Sequence, residues 1–280
     1  MQIGVRMMHG STQVRRGFLL GRVGILLGVL AVSAALGYAG WLWYGSRPGS
    51  APLAPVAPPP AATDAGPVHG EEGPRHPVAI DPGAPPLPTL AESDGPFVDA
   101  LTGIPGLHGV ARLLTPGNHI RNIVATVDAL AREKVSRRVF PLEPVAGKFR
   151  VEARAGGEAF GAANARRYDA IVRMALALRP EQAAATYRRF YPLFQQAYRE
   201  LGYPKGYFND RLVEVLDDLL EVPDIPFPIA VVQPGVLYRY ADPDLEALPA
   251  GQKMLLRLGP ANLAALRPQL RALRREIAPG

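Results

Sequence analysis

The chain has 280 residues, a formal charge of +6, and 30 Pro beside 29 Gly, so a good part of it is not packed core. It has no Cys, which excludes disulfides, zinc–thiolate sites, iron–sulfur clusters and a Cys nucleophile. The excess of base is not one nucleic-acid surface: residues 1–47 hold five Arg and no acid, residues 48–96 hold six acids against Arg75 alone, and only a mild excess is spread over residues 97–280.

Residues 1–22 form a basic N-terminus with Arg6, Arg15, Arg16 and Arg22. Val23 to Tyr44 follows without a charge and predicts a transmembrane helix over 23–44. At about 1.5 Å per residue it reaches roughly 33 Å, enough for a hydrocarbon core of about 30 Å. Only Arg47 of the early Arg residues lies beyond it, so the positive-inside rule places the N-terminus in the cytoplasm and the rest outside. Trp41, Trp43 and Tyr44 fit the aromatic interface at the exit. A cleavable signal peptide ending near Gly37-Tyr38-Ala39 is the rival, but the apolar stretch runs on through Trp43. Gly24, Gly28, Gly37 and Gly40 offer a helix-pairing face or are simply common in such spans.

Residues 45–93 read as a disordered Pro/Ala/Gly-rich linker. The run from Ala51 to Pro60 has too little apolar surface to fold and favours polyproline II. The arm reaches about 150 Å fully extended and about 40 Å as a flexible coil. His69 and His76 within it are expected to be solvated.

A folded head is expected over 94–280. Asp94-Gly95-Pro96 opens a short helix. Ile120, Ile123, Val124, Val127 and Leu130 keep helical spacing. Phe149 to Val151 is expected to be a short strand. Tyr168, Ile171, Val172, Ala175 and Leu176 share one helical face. Tyr187, Phe190, Tyr191, Phe194, Tyr198 and Leu201 stripe a longer helix, bent at Pro192 and capped by Gly202. Phe208, Leu212, Val215, Leu216 and Leu219 mark another helix, stopped by Pro223. Ile229–Val232 and Val236–Tyr240 are expected to pair as strands around Pro234-Gly235. Asp242-Pro243, Pro249 and Gly259-Pro260 each begin a short helix or the last one. The fold class is mainly α with a minor β element (α+β), one compact head after the transmembrane helix and arm.

The head lacks a Gly-rich phosphate loop, HExxH and Gly-x-Ser-x-Gly. His108 and His119 stand 11 apart without a carboxylate at ligand spacing, and are expected to be structural; no metal and no cofactor is predicted. Asp210, Glu214, Asp217 and Asp218 recur every three or four residues, on a face opposite the Leu and Val face. A carboxylate pair there would serve an envelope-polymer hydrolase; a solvated face meeting basic neighbours is the plainer expectation. The aromatic stripe is expected to be core rather than a sugar-stacking surface. Arg267, Arg271, Arg274 and Arg275 beside Leu263, Leu266, Leu270, Leu273 and Ile277 make a basic amphipathic helix, either an ordinary outer face or a contact for anionic lipid or an acidic partner.

The stretch from Leu237 to Asn262, with its Gln252-Lys-x-Leu-Leu-Arg-x-Gly string, resembles the bacterial domain-of-unknown-function 3014 family. Phe149-Arg-Val-Glu-Ala-Arg-Ala-Gly, Arg167-Tyr168, Tyr191-Pro-Leu-Phe, Ala197-Tyr-Arg-Glu-Leu-Gly and Phe208-Asn-Asp-Arg-Leu are similar too. The resemblance covers roughly Leu87 to Arg275. It implies a single-pass envelope protein of a Gram-negative bacterium with a Pro-rich stretch after the anchor, hence the inner membrane and a periplasmic head. It implies no activity, substrate or catalytic residue. Pro268 departs from it and is expected to kink or split the last helix.

Within Tyr240 to Asn262, Asp242 is expected to cap a helix, Gly251 and Gly259 to serve as turns or caps, and Leu245, Leu248, Met254, Leu255 and Leu258 to be core. Asp242, Gln252, Lys253, Arg257 and Asn262 are the candidate partner-binding or fold-defining patch. Their polar groups are either satisfied internally, with Arg257 pairing Asp242 or Asp244, or present a hydrogen-bonding surface. The function expected is therefore a membrane-anchored, non-enzymatic binding or scaffolding head. Its partners are the lipid bilayer through the anchor and an unidentified envelope protein or polymer; nucleic acid is not expected.

Overall fold

The computed structural model describes residues 73–145, 147–235 and 237–278. The expected basic terminus, the transmembrane helix over 23–44 and the linker up to residue 72 lie outside the described residues. Among the described residues no helix is long and apolar enough to cross a membrane.

The helices are α1 (Asp94–Thr102), α2 (His119–Leu130), α3 (Ala162–Ala165), α4 (Asp169–Ala177), α5 (Pro180–Glu200), α6 (Phe208–Leu220), α7 (Pro243–Ala247), α8 (Ala250–Arg257) and α9 (Pro260–Ile277). The strands are β1 (Glu152–Arg154), β2 (Gly157–Phe160), β3 (Ile229–Val232) and β4 (Arg239–Tyr240). They form one antiparallel sheet in the order β1-β2-β3-β4, with Phe160 opposite Ile229 and Val231 opposite Tyr240. The protein is thus mainly α with a small sheet.

The amphipathic spacing dictates the packing. Helices α2, α5, α6 and α9 bury their apolar stripes against one another, and α8 closes over α2 and α6. Tyr187, Phe190, Tyr191, Phe194 and Tyr198 all enter this core, where Phe194 stacks on Phe208 at 5.7 Å between ring centroids. Leu201, at the end of that stripe, is 41% exposed. Tyr168, just before α4, and Ile171, Val172 and Ala175 on it turn inward, but Leu176 does not. The inner face of the sheet adds Phe160, Ile229, Val231 and Tyr240.

Four expectations need correction. First, residues 73–93 are not the end of a disordered linker: Leu90 is buried, Val78 and Leu87 pack against the core, and the backbone of Arg75 and His76 is hydrogen-bonded to Asp210. Scattered apolar residues among prolines suffice once a preformed partner supplies the hydrogen bonds. Second, the strand expected at Phe149–Val151 lies at β1 and pairs with β2 across a two-residue turn, Ala155-Gly156, in which Gly156 takes φ +93. Third, β4 is only Arg239–Tyr240. Fourth, Pro268 does not split the last helix: α9 runs from Pro260 to Ile277, held along its length by Leu263, Leu266, Leu270, Leu273 and Ile277 in the core.

Candidate functional site

The patch around Tyr240–Asn262 is built by two helix starts and a strand end. Asp242 caps α7, its Oδ1 accepting from the Asp244 N–H at 2.9 Å. Gly259 has φ +79 at the α8–α9 junction, where a Cβ would meet the Ala165 Cβ at 2.8 Å. Gly251 is not a turn. It lies within α8, where an added Cβ would sit 2.6 Å from Leu219 Cδ2 and 3.2 Å from the Leu130 carbonyl oxygen. Met254, Leu255 and Leu258 are buried, and Leu245 and Leu248 are half-buried against the core.

The polar members of the patch point inward or across it. Gln252 is 5% exposed and donates through Nε2 at 2.7 Å to the Asp218 carbonyl near the end of α6, which also accepts the Glu221 N–H at 3.3 Å. Lys253 is 8% exposed and donates through Nζ to the Glu246 carbonyl at 2.8 Å. Burial pushes its amine below the ordinary lysine value, against the opposing pull of Glu246. Asn262 donates to Asp169 Oδ1 at 2.9 Å and to the Leu258 carbonyl at 3.1 Å. Arg257 makes no ion pair with Asp242 or Asp244 among the described residues; its guanidinium lies over the Tyr240 ring, 5.5 Å from the centroid. Tyr240 is held beside α8, its hydroxyl donating to the Lys253 carbonyl at 2.7 Å. The five residues therefore lie on one stretch of chain, but their polar atoms do not converge on a shared point.

The four acids of α6 separate likewise. Asp210 is not on the solvent face. It is 2% exposed in the first turn and accepts from the N–H groups of Arg75 at 3.0 Å and His76 at 2.8 Å. Glu214 pairs with Arg211 at 2.9 Å, and Asp217 with Arg274 of α9 at 2.9 Å. The Asp218 carboxyl is raised from its ordinary value, by burial first and then by Glu221 and Glu214. Of the basic helix α9, Arg267 binds Asp224 at 2.9 Å and the Val222 carbonyl at 2.7 Å, so two of its four Arg residues tie α9 to the α6 region.

Periodicity gave no signal for an ionic cluster between α2 and α6. Asp128 is 6% exposed and receives Arg211 Nε at 3.1 Å, Arg132 at 2.8 Å and the Tyr203 hydroxyl at 3.1 Å. Arg132 also donates to the Tyr203 hydroxyl. An acid flanked by Val127 and Ala129 inside an apolar stripe was its only trace in the sequence. Every oxygen of Asp128 faces a protein donor, so the cluster is a structural clasp.

A shallow groove lies between Pro223, Ile225, Phe227, Leu256, Pro260 and Leu263. Asp224 is its one charged lining residue, and the acids of α6 do not reach it. No group of three or more His, Asp or Glu side chains fit to hold a metal ion occurs among the described residues. His119 is buried with its N–H bonded to Asp94, and His108 Nδ1 lies 2.9 Å from the Thr102 carbonyl.

No curated protein and no solved structure gives a match to the chain. A family model does match, over residues 119–274, from the first turn of α2 to within three residues of the end of α9. That span holds the whole sheet, the Asp128 clasp, the acids of α6 and the Tyr240–Asn262 patch. The chain belongs to the family described as protein of unknown function, DUF3014.

Proposed function

We propose that this protein is a single-pass envelope protein whose head, outside the cytoplasm, binds or scaffolds another envelope component and performs no catalysis. The observation that carries the reading is the order of segments in the sequence: four Arg, a charge-free stretch over 23–44, then a Pro-rich arm before the head. The bacterial inner membrane and the periplasm are the compartments this order fits. The geometry of the head agrees with it. Asp210, Glu214 and Asp217 are each engaged by a backbone or guanidinium partner, so they do not stand as an opposed acid and base across a cleft.

The test is photo-crosslinking in living cells, with the crosslinker placed at exposed positions of the head in the full chain. One reproducible envelope partner supports the reading. Release of soluble fragments from purified cell-wall polymer by the full chain, lost in Asp218→Asn, would replace it with the hydrolase alternative.

A further inference from the structure

The first turn of α6 holds residues 73–79 through hydrogen bonds to their backbone. Asp210 takes the N–H groups of Arg75 and His76 on its two carboxylate oxygens, and Asn209 Nδ2 donates to the His76 carbonyl at 2.8 Å. Both clamp residues are buried, at 0% and 2% exposed. The strap is not: no residue from 73 to 89 is buried, Ile80 is 55% exposed, and Leu90 is the first to enter the core. Two prolines, Pro74 and Pro77, flank the clamped pair and favour an extended chain whatever it touches.

The clamp is also made to survive without the strap. Asp210 lies in the first turn of a thirteen-residue helix, where open N–H groups and the helix dipole stabilise a carboxylate. Asn209 keeps a second acceptor, the Ile277 carbonyl at 3.5 Å. Once the strap lifts, water reaches the Asp210 carboxylate and replaces the two peptide N–H groups, and the only apolar contacts given up are those of the half-buried Val78 and Leu87.

We propose that Asn209 and Asp210 form a releasable latch for the strap, so that the head exists with residues 73–89 clamped or free. This rests on the tethered-head reading for its use: release adds about 50 Å of chain between the head and its anchor, at about 3.1 Å per residue. The latch itself reads backbone, and Val78, Leu87 and the Arg189 bond to the Pro86 carbonyl at 3.4 Å add to its hold along the strap.

Hydrogen exchange on the full chain in detergent tests this, read peptide by peptide. The amides of residues 75–80 should exchange by a local opening that low denaturant does not accelerate, while those of α2 and α6 follow global unfolding. His76→Pro removes one clamped N–H without touching α6. It should speed exchange across 73–89 by about tenfold or more and leave the melting temperature of the head unchanged. Asp210→Ala should speed exchange more strongly, with a small drop in melting temperature because it also removes the acid from the first turn of α6. Exchange of the strap in step with α6, or a His76→Pro head that melts earlier, would show the strap to be an integral part of the fold and overturn the latch. These readouts do not depend on the compartment. A head found in the cytoplasm would remove the lengthening role yet leave the exchange result standing.

Discussion

Arg211 grips Asp128 twice, through Nε to the carboxylate at 3.1 Å and through an Nη to the backbone carbonyl at 2.8 Å. This pair stitches α6 to α2, with side chains only 14% and 8% exposed. Removing the acid leaves a buried guanidinium held by Glu214 on one side only, which is costlier than never having built the pair. Asp128→Ala should lower unfolding free energy by about 3 kcal/mol in urea titrations. Replacing both Asp128 and Arg211 by apolar residues should recover much of that loss. Equal losses in the single and double variants would show that the clasp is not a coupled pair.

Gly251 marks a close approach of α8 to α2 and α6. Alanine is the better helix former, so propensity alone predicts a gain of about 1 kcal/mol for Gly251→Ala. The contact predicts the reverse, because the Leu130 carbonyl at 3.2 Å is backbone and cannot swing away. The variant should be destabilised by about 1–3 kcal/mol by thermal melting. A higher melting temperature would mean that α8 has room to move.

Gln252→Ala removes the shorter of two bonds to the Asp218 carbonyl and leaves it the Glu221 N–H at 3.3 Å. The expected cost is about 1–2 kcal/mol. Crosslinking to any captured partner should be unchanged, since the amide points inward. Retained stability with a lost partner would instead make this patch a binding surface.

The tyrosines set the alkaline limit. Burial raises Tyr187, Tyr191, Tyr198, Tyr203 and Tyr240 above the ordinary value of 10.0, Tyr191 to about 12. Their folded forms hold protons that the unfolded chain releases, so this contribution is intact below pH 10 and is lost as pH rises through about 12. Lysine 253 runs the other way: its depressed folded value means stability gained as pH climbs toward 10.5, a single group against five. Tyrosinate absorbance should therefore appear together with loss of helical circular dichroism above pH 10. Full ionisation with the helices intact would contradict the burial of the aromatic stripe.

Much of the head was legible where one physical rule dominated. The stripe from Tyr187 to Tyr198 has helical period and a buried face, and Gly202, with φ +121, ends it as its lack of a side chain allows. Asp242 before Pro243 reads as a cap and is one. Legibility failed where a contact joins residues far apart in the chain. Asp210 has the spacing of a solvent-face acid, but its partners are backbone N–H groups 134 and 135 residues away, which carry no side-chain signature. Arg257 was matched to acids by sign, yet it lies over an aromatic face. The Asp128 clasp needs three helices or loops to meet, and no periodicity encodes that.

The central claim is that the head stands outside the cytoplasm on a single span. A chain without Cys permits a direct test, because one introduced thiol is the only target. Lys134, with its side chain 77% exposed, is suited to Lys134→Cys. Cells whose outer membrane has been permeabilised are treated with a membrane-impermeant maleimide before and after lysis. The account predicts full labelling before lysis. Labelling only after lysis would put the head in the cytoplasm and contradict it.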